Sequence, residues 1–290
     1  MISESGVYQL SNDEYHADPC PVPSLSTGVM KDLLFKSPLH AYCNHPKLSM
    51  VEKSNDDPKF DIGSAAHPML LEGIDKVAAV NATDWRTKEA KEQRAKARAE
   101  GKVPLLVEQY SRVLAMAKAA EDALFNSELN IASISAQGDS ELSYIWTKDD
   151  VWFRSRPDWV KKDRSIIIDY KTSVTANPAY LSRRVIDLGY DIQAAHYVNS
   201  VREIEGIEPK FYFLFQEVSE PYACSLVALD PQFLHLGRQK VSHATELWKH
   251  CVATGDWFGY PNRIAYLEMP PWAEAWTVNA PMVTETEEDI

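Results

Sequence analysis

The feature that most constrains the fold is a run of three short extended segments between residues 141 and 171. Residues 141–146 alternate polar with apolar and aromatic side chains, residues 151–160 follow a Lys-Asp-Asp turn, and residues 165–171 contain three consecutive isoleucines. Segments of this composition, separated by short polar turns, predict a three-stranded β-meander. Its last strand is apolar enough to be buried, and it ends in an Asp-Tyr-Lys sequence.

Segments with helical periodicity lie on both sides of this meander. Apolar spacing and capping residues predict helices before it, at 26–37, 63–71, 85–100 and 107–125. After it, the same criteria predict helices at 178–188, 190–201 and 231–251, and strands at 211–215 and 223–228. The predicted fold class is therefore α/β or α+β, a mixed central sheet flanked by helices, with a helical N-terminal elaboration.

Changes in composition suggest where the domain begins and ends. The opening to Ser24 is rich in Pro and polar residues and predicts an irregular arm, and residues 44–61 predict a loop broken by two prolines. We therefore predict an N-terminal arm at 1–24, one domain at 25–265 and a C-terminal tail with an acidic end at 266–290.

Composition and cysteine spacing exclude several classes of protein. The 8 Trp, 13 Tyr and 9 Phe exclude a disordered chain, because that much aromatic surface is buried or binds a partner. The four cysteines include no CxxC pair, so we expect neither zinc nor an iron–sulfur cluster. Since no segment is typical of a membrane span or a secretory signal, we expect a cytoplasmic protein without membrane attachment.

The charge of the chain is distributed unevenly. A net charge of −12 argues against nucleic acid as a partner. Between Arg154 and Arg184, however, eight basic residues stand against three acidic ones. Because binding depends on the local field more than on the average, DNA remains a candidate partner.

The strongest candidate site consists of Asp158, Asp169 and Lys171. Side chains two apart on a strand share a face, so Asp169 and Lys171 emerge together while Tyr170 points away. If the two strands pair through their short turn, Asp158 stands beside Asp169. Two carboxylates that hold Mg²⁺ beside a lysine that orients or deprotonates a water suit hydrolysis of a phosphodiester. Taken alone, Asp and Lys at a strand end are also common solvated residues.

Four further residues are weak candidates individually. His67 lies on a helix of small residues that can approach a site closely, although a lone helical His is more often structural. Glu141 opens the first strand of the meander. Gln193 and Tyr197 share one helical face at i and i+4, which in most proteins is only a surface pair.

In this order, the motifs resemble those of the PD-(D/E)xK nuclease superfamily. The resemblance rests on Gly63 with His67, Pro157-Asp158, residues 168–172 and the QxxxY element from Gln193 to Tyr197. That element points to the RecB-like and lambda-exonuclease-like branch. The likeness is strongest to the C-terminal nuclease domain of RecE-type exonucleases (exodeoxyribonuclease VIII), and it covers residues 8 to 265.

The resemblance implies a restriction-endonuclease-like core and a definite activity. It implies a Mg²⁺-dependent 5′→3′ exonuclease, with Mn²⁺ able to substitute, that degrades one strand of linear duplex DNA. The remaining 3′ single strand would serve recombination through a RecT-like annealing protein. The family also implies a homo-tetrameric ring around DNA, in the bacterial cytoplasm or in that of the host of a phage.

Roles in the site are carried over from the family residue by residue. Asp158 and Asp169 would bind the metal, and Lys171 would serve the nucleophile. His67 would add a ligand, as would the main-chain carbonyl of Tyr170. Asp at position 169, where many members have Glu, reaches the same ion from a slightly closer backbone.

The resemblance also implies roles for residues around the metal. Gln193 and Tyr197 would steady the site or the DNA strand, and Glu141 would act through water on a second metal.

A third group of residues would receive the DNA end. Ser26 and Thr27, at the start of the first helix, could bind a 5′-phosphate, because a helix N-terminus attracts anions. A simple helix cap is the alternative. Arg86, beside Trp85, could contact the same DNA end.

Three other functions remain open at this point. The same metal site could belong to an endonuclease, which would also cut circular DNA. The chain could be a non-catalytic DNA-binding scaffold for recombination, although a scaffold has no need of acids beside a phosphate. A hydrolase of another phosphate ester is favoured only by the acidic net charge.

Overall fold

This computed structural model describes residues 1–49 and 62–270, and these contain ten strands and ten α-helices. The strands are Gly6–Tyr8 (β1), Val77–Val80 (β2), Val103–Leu106 (β3), Gly138–Ser140 (β4), Ser143–Lys148 (β5), Val151–Ser155 (β6), Trp159–Lys161 (β7), Ile166–Ser173 (β8), Lys210–Glu217 (β9) and Cys224–Ala228 (β10). The helices are Asn12–His16 (α1), Thr27–Phe35 (α2), Pro38–Asn44 (α3), Ile62–Leu71 (α4), Lys88–Ala99 (α5), Val107–Phe125 (α6), Ile134–Gln137 (α7), Leu181–Asp187 (α8), Tyr190–Glu205 (α9) and Pro231–Thr254 (α10).

The central sheet is mixed. Its strand order is β10-β9-β8-β7-β4, in which β8 and β9 run parallel and the other neighbours run antiparallel. Parallel strands need a crossover connection, and α8 and α9 supply it between β8 and β9. A three-stranded antiparallel sheet (β1-β5-β6) and a parallel pair (β2-β3) complete the β-structure of the described residues. The predicted mixed fold class is confirmed.

Strand β8 is buried because hydrophobic clusters cover both of its faces. Ile167 packs in a cluster with Ile192 of α9, whereas Ile168 and Tyr170 pack in a second cluster with residues of α4 and α6. The alternation of a strand therefore leaves Asp169 on the face toward α9 and Tyr170 on the opposite face.

The predicted meander is wrong in two respects. Residues 151–160 do not form one strand, because the chain leaves the three-stranded sheet after Ser155 and enters the central sheet at Trp159. Pro157 lies in the gap, and proline has no N–H to donate to a strand ladder. Glu141 does not open a strand either, since β5 begins at Ser143 and Glu141 has a φ of +57°.

The opening of the chain is not irregular as the composition predicted. It contains β1 and α1, and β1 pairs with β5 so that Val7 lies opposite Tyr144. Tyr15 and Cys20 are buried. The strand that pairs with β1 lies more than a hundred residues away, so the sequence of β1 carries no indication of its partner.

Several further elements differ from the predicted ones. The third predicted helix begins at Lys88 rather than at residue 85, because the Thr87 hydroxyl caps it by accepting a hydrogen bond from the Ala90 N–H. The short elements β2, β3, β4, α3 and α7 were not predicted. Most of the predicted loop at 44–61 lies outside the described residues, as does the acidic tail.

Contacts divide the chain into one unit from Met1 to Gly259 and a second from Tyr260 to Ile290. The described part of the second, residues 260–270, is exposed and contains neither helix nor strand. Within residues 1–49 and 62–270, no helix combines the length and apolar character needed to cross a membrane.

Candidate functional site

Pairing of β7 with β8 brings Asp158 and Asp169 together. Trp159 faces Ile168 in the antiparallel register, so Asp158, one residue earlier, lies level with Asp169. The Asp158 Oδ2 atom accepts a hydrogen bond of 2.8 Å from the main-chain N–H of Tyr170. The Asp158 carboxylate, directly before β7, is thus fixed by the backbone of β8.

Asp169 is fully buried and is held from two sides. The Lys171 ammonium contacts Asp169 Oδ1, and the Gln193 amide donates a hydrogen bond of 2.7 Å to Asp169 Oδ2. The same amide donates to the Tyr197 hydroxyl at 3.2 Å. The i, i+4 spacing on α9 therefore directs the Gln193 and Tyr197 side chains toward Asp169 in the middle of β8.

His67 approaches this group from α4. Its Nε2 atom lies 3.4 Å from Asp158 Oδ2, and its Nδ1 atom lies 3.3 Å from the Gly63 carbonyl oxygen. Burial acts to lower the pKa of His67, but the contact with Asp158 outweighs it and raises that pKa. Loss of the Nε2 proton would leave a lone pair on the atom that faces Asp158, which is the form of the ring that binds metals. Buried Ala65 and Ala66 allow this helix to pack closely.

The charged groups shift one another's pKa values. Burial and the Asp158 carboxylate raise the pKa of Asp169, although Lys171 opposes them. Burial also acts to raise the pKa of Asp158, but Lys171 and His67 outweigh it and lower that pKa. Burial acts to lower the pKa of Lys171, but Asp169 and Asp158 raise it above its ordinary value. Lys171 is therefore an ammonium at neutral pH.

Glu141 lies at the edge of the same group. Its main-chain N–H donates a hydrogen bond of 3.1 Å to the Asp158 carbonyl oxygen. Its carboxylate is paired with Arg156, whose Nε atom lies 3.0 Å from Glu141 Oε2. Burial and the charge of Asp158 raise the pKa of Glu141 to about 7, although Arg156 opposes them.

The hydroxyl residues at the start of α2 line a separate cavity. Ser26 is the helix cap, and its hydroxyl accepts a hydrogen bond from the Val29 N–H. The Thr27 hydroxyl is buried and has no hydrogen-bond partner among the described residues. Both residues line a cavity of about 730 Å³, together with Lys31 and Tyr197.

Arg86 does not join these two residues. It lies ahead of α5, its side chain is 90% exposed, and it pairs with Asp84 at 3.5 Å. It is not among the residues that line the cavity.

The sequence did not predict Tyr190 and Lys31 as members of the catalytic group. The Tyr190 ring centroid lies 5.2 Å from the Lys31 Nζ atom and 5.3 Å from the Lys171 Nζ atom. Burial and the charge of Lys171 lower the pKa of Lys31 to about 8. Tyr190 precedes Gln193 by three residues on the same helix, and this i, i+3 spacing was the available indication.

The donor set fits a divalent cation. Each of two neighbouring buried carboxylates raises the free energy needed to ionise the other. A hard cation, which prefers oxygen ligands, would lower that free energy. The Nε2 atom of His67 is directed to the same place. Within residues 1–49 and 62–270, no three His, Cys, Asp or Glu side chains yet converge as a complete metal-binding cluster.

The mixed sheet, with one aspartate directly before β7 and an aspartate and a lysine within the adjacent strand β8, defines the class of PD-(D/E)xK nucleases, which are hydrolases of DNA phosphodiesters. A family model described as a PDDEXK-like domain of unknown function (DUF3799) matches residues 28–270. The chain belongs to this family. The predicted superfamily is confirmed, whereas the narrower likeness to RecE-type exonucleases stays a prediction.

Solved structures match at low sequence identity, and the first of the two that follow shares the fold. A crystal structure of a candidate exonuclease from Eubacterium rectale has 13% identity and a TM-score of 0.57, and the match covers 95% of this chain and 100% of that one. An alkaline exonuclease from Laribacter hongkongensis has 12% identity and a TM-score of 0.26, over 66% of this chain and 93% of that one. No curated protein matches the sequence.

Proposed function

We propose that this protein is a Mg²⁺-dependent exonuclease that digests linear double-stranded DNA in the 5′→3′ direction. The observation that carries the proposal is the grouping of Asp158, directly before β7, with Asp169 and Lys171 of the adjacent strand β8, where Gln193 holds Asp169. The E. rectale protein that shares the fold is itself described as a candidate exonuclease. A 3′ single strand would be the product, for recombination by strand annealing.

The residues of the site have distinct roles in this reaction. Asp158, Asp169, His67 and the Tyr170 carbonyl would hold the ion, which when bound lowers the pKa of a water and neutralises phosphate charge. Lys171 orients the attacking water and stabilises the charge that develops on the phosphoryl group. Its raised pKa favours this role over proton abstraction. Gln193 and Tyr197 fix the orientation of the Asp169 carboxylate.

The cavity beside α2 is where the DNA strand would enter. Ser26 and Thr27 supply the N-terminus of a helix, which attracts phosphate. Lys31 adds a cation that has no ion-pair partner among the described residues. We place the 5′-phosphate of the digested strand here, and Arg86 would contact DNA outside the cavity.

The proposed assembly is a homo-tetrameric ring that acts in the cytoplasm with a RecT-like annealing protein. A ring reconciles the net charge of −12 with DNA binding, because the basic segment from Arg154 to Arg184 can line a channel while acidic surfaces face outward. Mn²⁺ is expected to support the same reaction as Mg²⁺.

Digestion of end-labelled linear duplex DNA tests the proposal. We expect mononucleotides to be released from the 5′-phosphorylated strand in Mg²⁺, no release in EDTA, and loss of at least about 10³-fold in rate in Lys171→Ala. Equal cutting of covalently closed circular DNA would instead identify an endonuclease. Binding of DNA without cutting would support the scaffold.

A further inference from the structure

We propose that Arg156 is a positioning residue that holds the Glu141 carboxylate at the edge of the site and is itself held by the N-terminal segment, residues 1–24. This inference rests on the proposed nuclease function. It concerns a contact chain from a distant part of the sequence to the acidic group, through Leu10, Tyr15, Arg156 and Glu141.

The contact between Arg156 and Glu141 has two components. The Arg156 Nε atom lies 3.0 Å from Glu141 Oε2 and donates a hydrogen bond, also of 3.0 Å, to the Glu141 main-chain carbonyl oxygen. Both side chains are largely buried, at 11% and 26% exposure. One guanidinium thus fixes both the backbone and the carboxylate of a residue whose φ is +57°.

The N-terminal segment in turn fixes Arg156. The Arg156 Nη2 atom donates a hydrogen bond of 2.8 Å to the Leu10 carbonyl oxygen. The guanidinium also lies over the Tyr15 ring, 5.4 Å from its centroid. Tyr15 is buried, so this aromatic contact is desolvated and correspondingly strong.

Arg156 is close to the reacting groups without belonging to them. It precedes Asp158 by two residues, and Glu141 binds the Asp158 main-chain carbonyl through its own N–H. If Arg156 were lost, Glu141 would remain beside Asp158 as a buried acid without its cationic partner. The carboxylate would then lose the contacts that fix its position, and its action on the site would be lost.

A double-mutant cycle between Arg156→Met and Glu141→Gln tests this proposal. Each single variant is expected to lower kcat by about tenfold with little change in KM. Because Arg156 acts through Glu141, the double variant should be no slower than Glu141→Gln alone. Arg156→Lys keeps the charge but has one nitrogen atom, so it cannot bind Glu141 through one nitrogen and the Leu10 carbonyl through another, and it should recover only part of the rate.

Arg154→Met is the matched control. Arg154 also lies over the Tyr15 ring, at 5.2 Å, and binds the Tyr15 carbonyl, but it makes no contact with Glu141 among the described residues. The factor by which Arg154→Met lowers kcat should therefore multiply with the factor for Glu141→Gln in the double variant. Thermal melting of every variant establishes that it is folded, and Arg156→Lys serves if Arg156→Met is not.

Mn²⁺ affinity, measured by calorimetry, gives a readout that does not require DNA cleavage. The Arg156→Met and Glu141→Gln variants should lose affinity by the same factor, and the double variant should lose no more. The proposal would be overturned if the losses of the two single variants multiplied in the double variant, both in kcat and in Mn²⁺ affinity. Wild-type values of kcat and Mn²⁺ affinity in Arg156→Met would also overturn it. If the wild type binds Mn²⁺ but cuts no DNA, the proposed function fails, and the metal readout still decides the role of Arg156.

Discussion

At the scale of single residues, the site concentrates acids in a place where burial makes their charge costly. Glu141 illustrates the consequence, because burial and Asp158 raise its pKa from 4.5 to about 7. A carboxyl whose pKa is higher in the folded than in the unfolded state stabilises the fold below its unfolded pKa. That stability is lost as the pH rises through the folded pKa.

We therefore expect the Glu141→Gln variant to gain stability relative to wild type as the pH rises from about 4.5 to about 7. The relative gain should be at most about 3 kcal/mol. Urea denaturation at pH 4.5, 6 and 8 in EDTA measures it. A difference between the two proteins that is independent of pH would contradict the shifted pKa.

Lys31 is the second residue whose role can be tested directly. Its ammonium shares the Tyr190 ring with Lys171 and lines the cavity beside α2, so Lys31→Met should weaken DNA binding by about tenfold. The slope of the logarithm of the DNA-binding constant against the logarithm of the salt concentration should also fall by about one, which corresponds to the loss of one phosphate contact. Fluorescence anisotropy with Ca²⁺ in place of Mg²⁺ measures both.

Lys36→Met is the control for that experiment. Lys36 is at the end of the same helix and also lines the cavity, but its side chain is 51% exposed, and its charge is neutralised by Asp32 at 2.8 Å. It should affect binding much less. Equal weakening by both variants would mean that only the general charge of this helix matters.

At the scale of elements, the site depends on how α9 is seated between β8 and α10. Gly237 of α10 is where the two helices approach most tightly, since a Cβ atom there would lie 2.2 Å from the Asp191 carbonyl oxygen. Backbone atoms cannot yield as a flexible side chain can. Asp191 is two residues before Gln193, so a displacement of this turn would also move the amide that holds Asp169.

We therefore expect Gly237→Ala to destabilise the protein by roughly 1–3 kcal/mol and to lower nuclease activity. In an unconstrained helix the same change would stabilise by about 1 kcal/mol. Gly28→Ala in α2 is the matched control, because its nearest neighbour would be Ser26 Oγ at 3.9 Å. Urea denaturation that ranks the two variants alike would refute the packing argument.

Elements were predictable where local pattern and tertiary environment agree. The helix predicted from residue 107 to about residue 125 is confirmed, because its apolar spacing is a local property. The break in the meander was missed, since Pro157 was included in a strand. Elements of three or four residues, such as β2 and β4, depend on a partner strand and carry too little pattern to be recognised.

At the scale of the whole molecule, the charge requires an explanation. A chain of net charge −12 that acts on DNA must separate its basic from its acidic surfaces. A ring around the duplex would do so. We expect mass photometry to give the mass of a tetramer rather than the 32.8 kDa of one chain.

That expectation has a direct counter-outcome. A monomer at the concentrations at which the protein digests DNA would exclude the ring, although it would leave the metal site unaffected. Processivity offers a second comparison, because a protein that encircles its substrate should resist displacement by competitor DNA added after digestion has begun.

The sequence by itself determined which chemical groups the protein possesses and their order. It placed Asp169 and Lys171 on one face of a buried strand, and Gln193 and Tyr197 on one face of a helix, because strand and helix periodicity are local properties. The mixed fold class followed from the same periodicities. These features do not depend on how the helices and strands pack against one another.

Only the tertiary structure decided which of these groups meet. The antiparallel register of β7 and β8 sets Asp158 level with Asp169, and α4 brings His67 to Asp158 from about ninety residues away in the chain. The N-terminal segment became part of the site through Arg156 rather than a separate arm. Such contacts depend on the packing of elements that are distant in the chain, and no local pattern encodes the distance between them.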